Sequence, residues 1–343
     1  MSPACLLEAY RNGLSDKARY NFDSDIRQWI SWRGNEKLEP ASPHDVRDFV
    51  IHCAEVGFTR GPLTHASISH ILTSIAGLHR EVLGVTDPTK SIIVKSEIKC
   101  LRQATGTLQS QVVALRSEHE VPLPASSPSH DHGIPIPSIA CMKEACDTKI
   151  ARGLRDRVLL GIGQDLGRRS LDIHLFDHSH FTRRPDGRGN AFIQRSKTDQ
   201  RGEGKTKIIS SPTMGDIETW EEWKRKNGAA ESDALLNSVD QTGAAGGRLS
   251  PSGINYALRR IIVDTLIRGH GIAEAVAWEI ASEVSSHSFR VGLAQDGVAA
   301  NDYAEDIRNR GDWSQDKRVI AYARNLAPAS SAVAKLRSLI PLR

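Results

Sequence analysis

Apolar residues recur at helical spacing through the first hundred positions of the chain. Phe22, Ile26, Trp29 and Ile30 line one side of a predicted helix. Val46, Phe49, Val50 and Cys53 line a second, opened by Pro43 and Asp45, and Ile68, Ile71, Leu72, Ile75 and Leu78 line a third. Residues 91–115 carry at least one more. This region is expected to be a small all-helical bundle, residues 1–116. The period then stops. Residues 117–137 hold five of the fifteen prolines and no Lys or Arg. Neither a helical nor a strand pattern survives there, which predicts an extended linker between two domains. His130-Asp131-His132 inside it reads as solvated linker, because no further metal ligands lie nearby.

After the linker, helices are expected near 138–150 and 154–166. Residues 191–195 and 207–210 alternate like strands, with turns at Pro185-Asp-Gly and 201–204. Helices resume near 214–227 and 251–268 and continue toward the C-terminus. The second domain, 138–327, is therefore predicted to be mainly helical with a small antiparallel sheet. A short stripe of Val333, Leu336, Leu339 and Ile340 follows Pro328. A helix of residues 328–343 is marginal alone, so its apolar face must dock somewhere.

Composition narrows the class. The chain has 343 residues, enough for two domains. Its five cysteines are scattered, odd in number and form no C-x-x-C pair, which points to reduced thiols inside a cell. No apolar run approaches the ~20 residues that span a bilayer, and the N-terminus lacks the pattern of a signal peptide. Net charge is +4, and the excess is uneven: residues 1–120 balance 14 Lys/Arg against 14 Asp/Glu, whereas residues 138–343 hold 31 against 26. That is a weak hint of a polyanionic partner.

Two polar faces fit such a partner. Ser67, His70 and Ser74 share one side of the third helix, with Arg80 beyond. Short polar side chains there suit base edges or phosphates. Ser250 and Pro251 suit the start of a later helix, whose polar side carries Ser252, Asn255, Tyr256 and Arg259. Asn and Arg suit bidentate contact with adenine and guanine in a major groove. Both faces have a plain solvated surface as their bland alternative.

The sharpest chemistry lies near the C-terminus, in His287-Ser-Phe-Arg290, Trp313 and Tyr322. Upstream, Arg168-Arg169-Ser-Leu-Asp172 follows an apolar helix, and Lys197 sits between the two strand-like segments. Cutting a phosphodiester without a metal needs charge on the non-bridging oxygens, a nucleophile, and a proton for the leaving oxygen. Guanidinium groups suit the first need, being planar and always protonated. Arg169 and Arg290 would clamp the phosphate, Tyr322 would attack and Lys197 would protonate. His287 and Trp313 would donate hydrogen bonds, and His287 would assist proton transfer.

In that order the residues resemble the tyrosine recombinase (phage integrase) family. Its pattern is Arg, Asp or Glu, Lys, His-x-x-Arg, His or Trp, then Tyr. The resemblance runs from about residue 20 over most of the chain. It is strongest in 286–292, in Gly311-Asp-Trp313 and in 319–326, and the step from Trp313 to Tyr322 also matches. Asp172 is the shorter alternative to glutamate. Arg168 adjoins Arg169, and the R-x-x-D register favours Arg169. Ser252 falls near a position where a base-reading arginine is found in the family, so a different target is expected.

The resemblance implies a mainly α recombinase fold whose two domains clamp opposite faces of double-stranded DNA at an inverted-repeat site. It implies a 3′-phosphotyrosyl intermediate and no metal, ATP or other cofactor. The chain would be a monomer in solution and a homotetramer on DNA, with the tail docking in trans and no membrane association. Its place would be the cytoplasm, at the nucleoid, in a bacterial, plasmid or phage setting. The alternatives are a type IB topoisomerase-like or telomere-resolving enzyme with the same chemistry, or an idle DNA-binding protein.

Overall fold

The chain divides into two units, Met1–Ser110 and Gln111–Arg343. The computed structural model describes residues 3–34, 38–59, 61–105, 112–194, 204–228, 233–324 and 326.

The smaller unit contains α1 (Pro3–Asn12), α2 (Asp16–Arg33), α3 (Pro43–Glu55), α4 (His65–Gly77) and α5 (Ile92–Thr105). Local chemistry sets their starts. Ser15 and Thr64 cap α2 and α4 by accepting from first-turn backbone N–H groups that have no partner within the helix, and Ser42 and Asp45 form a reciprocal capping box on α3. The predicted stripes all face inward. Trp29 packs edge-on to Phe49 at 5.0 Å, and Val46, Phe49, Ile68 and Ile75 are fully buried beside them. A single π turn, Leu78–Val82, continues α4. It carries His79, wholly buried. The His79 Nε2 accepts from the Ala41 N–H at 3.0 Å, so Nδ1 holds the proton and donates to the Ile75 carbonyl at 2.8 Å.

The larger unit contains α6 (Ile139–Ala145), α7 (Ala151–Leu166) and α8 (Ser170–His174). A three-stranded antiparallel sheet follows, in the order β1 (Phe181–Arg183), β2 (Gly189–Ile193), β3 (Lys205–Ile209). Next come α9 (Ser211–Lys226), the hairpin of β4 (Asn237–Val239) and β5 (Ala245–Arg248), α10 (Pro251–His270), α11 (Glu274–Ser282), α12 (His287–Ala299), α13 (Ala304–Gly311) and α14 (Asp316–Ala323). The two predicted strands are β2 and β3, paired with Ala191 opposite Lys207. One core, built from α7, α9, α10 and α11 with the inner side of the sheet, holds Trp220, Ile262, Leu266 and Phe289.

The predicted linker is irregular, as its prolines require, but it does not run free. Within it Leu123 and Ile136 are buried in the core of the larger unit, and Val113 and Leu115, just before it, join them. Val121 and Ile136 exchange backbone hydrogen bonds at 2.9 Å, His132 Nε2 lies 3.0 Å from Glu279, and the Ser117 N–H donates to Asp296 at 2.8 Å. Prolines exclude a helix; they do not exclude docking, and the apolar residues between them supply it. The smaller unit accordingly ends at Ser110 rather than at 116.

Two glycines let this packing come close to α12. A Cβ at Gly292 would lie 1.6 Å from the Leu115 carbonyl oxygen, and one at Gly163 would lie 2.5 Å from the Phe289 ring. Either addition forces α12 away from its neighbours, at the several-kcal/mol scale of an overpacked core.

Candidate active site

The site grows from the ends of three helices. α7 ends at Gly167, which adopts a left-handed conformation, and Arg168 and Arg169 follow before α8 begins. The Ser170 N–H donates to Ser286 Oγ at 2.9 Å, and the Ser286 N–H donates to Asn255 Oδ1 at 2.8 Å. The Leu115 N–H donates to the Ser288 carbonyl at 3.0 Å. The start of α12 is thereby held from three sides. Helical spacing then puts His287 and Arg290, three residues apart, on one face.

Arg290 is only 2% exposed. Its Nη1 donates to the Gly167 carbonyl at 3.0 Å and its Nη2 to the Gly311 carbonyl at 2.8 Å. The guanidinium lies 4.9 Å from the centre of the Trp313 ring. Tyr322, on α14, closes the group: its ring centre is 5.4 Å from that of His287 and 5.5 Å from that of Trp313. Four of the seven sequence-predicted catalytic residues, His287, Arg290, Trp313 and Tyr322, are thus joined through these contacts into one cluster. Arg169 is half-buried and near enough to depress both His287 and Arg290. Asp172 is half-buried on α8. Lys197 lies outside the described residues, between β2 and β3.

Several buried polar atoms here lack a protein partner. They are Arg290 Nε, Trp313 Nε1, Asp172 Oδ2 and, on the adjoining Arg168, Nε and Nη2. An orphaned buried donor costs about 1–3 kcal/mol, so those of Arg290 and Trp313, beside Arg169, describe a place prepared for an anion. Electrostatics agree. Burial, with Arg290 and Arg169 adding to it, pushes His287 down to about 4, so the imidazole is neutral at pH 7. Burial and Arg169 push Arg290 down to about 10, which leaves it charged.

Arg168 and Arg169 differ in burial and in ion pairing. Arg168 is 2% exposed and pairs with Asp312 at 3.4 Å. Arg169 makes no ion pair among the described residues.

The residues predicted to contact DNA divide in the same way. Ser67 and His70 are exposed on α4, His70 Nδ1 lying 2.8 Å from the buried Asp25. Ser74 faces inward and donates to Asp25 at 2.6 Å, so its hydroxyl serves the bundle and not a surface. Arg80 is exposed but stands 3.5 Å from both Glu81 and Asp87. On α10, Ser252 is exposed. Asn255 and Arg259 are not outward readers: Asn255 holds Ser286, and Arg259 donates to the carbonyls of Val284 at 3.0 Å and Ser282 at 3.3 Å. Tyr256 stacks on Trp278 at 5.5 Å.

Sequence reasoning missed the scaffold of the site: Asn255, Arg259, Ser286, Arg168, Asp312, Lys205 and Lys207. Only the conspicuous Ser286-His287 and Gly311-Asp312-Trp313 neighbourhoods signalled any of it. The partners are mostly backbone groups far away in sequence, which leave no pattern.

No protein-family model matches the chain. Over 326 residues it is 25% identical to the recombinase Cre of Escherichia phage P1, covering 91% of this chain and 85% of that protein. Among solved structures it is similar to the Tn1549 transposon integrase in complex with circular intermediate DNA, with a TM-score of 0.61 at 11% identity over 98% of this chain and 99% of that one. It is also similar to the XerH site-specific recombinase bound to palindromic difH, with a TM-score of 0.56 at 15% identity over 98% and 84%. A lambda integrase dimer bound to a core site gives 0.54 at 14% identity over 96% and 98%. The fold is the one that these integrase and recombinase structures share. Among the described residues, no helix is long and apolar enough to cross a membrane.

Proposed function

We propose that this chain is a tyrosine recombinase, a site-specific enzyme that cuts and rejoins double-stranded DNA. The observation that carries the reading is the assembly of His287, Arg290, Trp313 and Tyr322 around buried donors that have no protein acceptor. A scissile phosphate supplies those acceptors. Arg169 and Arg290 clamp its non-bridging oxygens, and the Trp313 N–H donates to one of them.

The Tyr322 hydroxyl attacks phosphorus and the bond to the 5′ oxygen breaks. His287, neutral in the free protein, has a ring nitrogen available to accept, and the negative charge of the phosphate raises its affinity for the phenol proton. Lys197 gives a proton to the departing 5′ oxygen. The product is a 3′-phosphotyrosyl ester and a free 5′ hydroxyl. Attack by the 5′ hydroxyl of a partner strand reverses the step, returns the phenol and seals the new junction. The ester keeps the bond energy, so the exchange needs no nucleotide triphosphate. Asp172 orients its neighbours within the clamp.

The smaller unit, with Ser67, His70 and Arg80, and the exposed start of α10 at Ser252 supply further DNA contacts. Exchange between two inverted-repeat sites requires four protomers on DNA, assembled from monomers. The 328–343 segment, outside the described residues, docks between protomers. The setting is the cytoplasm, where the nucleoid or a plasmid or phage genome offers the target.

The test is covalent trapping on a nicked target site, once that site is found. The native chain is expected to form an adduct, and Tyr322→Phe to bind the DNA and form none. An adduct that survives in Tyr322→Phe moves the nucleophile elsewhere. In the same assay a chain ending at Ala327 should cleave but fail to join two sites in a synapse; normal exchange would remove the tail from the assembly.

A further inference from the structure

Asp312 occupies the turn between α13 and α14 with φ +56°, in the left-handed region that glycine enters freely and other residues enter at a cost. A strained backbone there needs a reason, and the side chain supplies one. It is 9% exposed and lies between two cations, Lys205 of β3 at 2.8 Å and the buried Arg168 at 3.4 Å. Burial pushes the carboxyl up, but the hydrogen bond from Lys205, with Arg168 and Lys207 beside it, outweighs burial and holds it at about 2. Lys207, also on β3, donates to the carbonyl of Asn309 in the last turn of α13.

The neighbours of Asp312 in sequence both touch Arg290. Gly311 accepts from its Nη2, and Trp313 stacks on its guanidinium. Asp312 therefore joins three pieces: the end of α7 through Arg168, strand β3 through Lys205, and the turn that orients Arg290. A carboxylate pointed at the substrate would repel phosphate; this one is spent on scaffold cations instead.

We propose that Asp312 is a positioning residue of the phosphate clamp. By gripping Arg168 and β3, it fixes the turn whose Gly311 carbonyl and Trp313 ring aim Arg290 at the scissile phosphate. The proposal rests on the recombinase reading above.

Asparagine also tolerates the left-handed region, so Asp312→Asn removes the charge and keeps the backbone. It is expected to bind the target DNA as the native chain does and to form the Tyr322 adduct more slowly, by up to about 10²-fold, the scale of a small misplacement of a catalytic group. A second substrate separates positioning from general weakening. A methylphosphonate at the scissile position carries one negative charge fewer and asks less of Arg290, so on it the deficit should shrink toward parity. Native cleavage by Asp312→Asn on ordinary DNA overturns the proposal. So does equal slowing on both substrates together with lost DNA affinity and a lower melting temperature. If Asp312→Asn does not fold, Arg168→Leu combined with Asp312→Gly removes the buried pair, leaves no buried orphan charge and relieves the strained turn. Slow cleavage of ordinary DNA with near parity on the methylphosphonate then supports the role, and native cleavage refutes it. A native chain that forms no Tyr322-dependent adduct would instead overturn the recombinase reading itself.

Discussion

The polar starts of α10 and α12 look alike in sequence, each offering Ser, Asn, His or Arg from the first turns of a helix. Their donors face different things. On α10, Asn255 and Arg259 spend their hydrogen bonds on the backbone of 282–286. Around α12, Arg290 keeps Nε and Trp313 keeps Nε1 buried with no acceptor. The α10 donors meet protein acceptors and serve the scaffold; the orphaned Arg290 and Trp313 donors, clustered beside Arg169, suit an anion. The two starts also act in series, since the segment that α10 grips leads directly into His287.

The sharpest way to break this distinction is Arg290→Lys. Lysine keeps a charge but cannot donate to the Gly167 and Gly311 carbonyls and to a phosphate at once. Adduct formation is expected to fall by about 10²–10³ or more, with DNA binding largely kept. A variant that cleaves within a fewfold of the native chain would show that the orphaned donors are a packing accident.

Asn255→Ala should do less, and differently. It strands the Ser286 N–H, at about 1–3 kcal/mol, and frees the start of α12 on one side. Melting temperature and cleavage rate are expected to drop together, while preference for one target sequence over another stays unchanged. Changed sequence preference with unchanged stability would return Asn255 to the role of a base reader.

This contrast also explains what was legible beforehand. The roles proposed for Arg169, His287, Arg290, Trp313 and Tyr322 each demand a particular side-chain chemistry, so residue type and order single these positions out. Ser74, Asn255 and Arg259 also have the right types, but whether such a side chain faces water, DNA or a distant carbonyl depends on packing that periodicity does not encode. Ser74 meets Asp25 from another helix. The strands β2 and β3 alternate and were legible. β1 has three residues, and β5 is Ala245-Gly-Gly-Arg248, too short and too plain for a strand signal. The docking of 117–137 was hidden because its apolar residues are spaced by prolines, which mask the alternation of a chain lying on a core.

Acid offers the gentlest separation of the two starts, because Asn255 does not titrate and His287 does. Unfolded, His287 takes a proton near its ordinary 6.5; folded, it resists until about 4. Between those values the unfolded chain binds more protons, so stability is lost as pH falls from 6.5 toward 4. His178, pushed down to about 4 by burial and Lys224, adds a loss of the same sign, and Asp156, pushed up to about 6 by burial, opposes it. Both are shared by the native chain and a His287→Gln variant, so the difference between their melting curves isolates His287. The variant should lose less stability across that window, whereas Asn255→Ala should show the native slope on a lower baseline. A phosphate in the clamp raises the proton affinity of His287, so target DNA should flatten the native slope and leave that of His287→Gln nearly unchanged. Identical slopes for native and His287→Gln proteins would mean that the imidazole is open to water and is not part of a buried clamp.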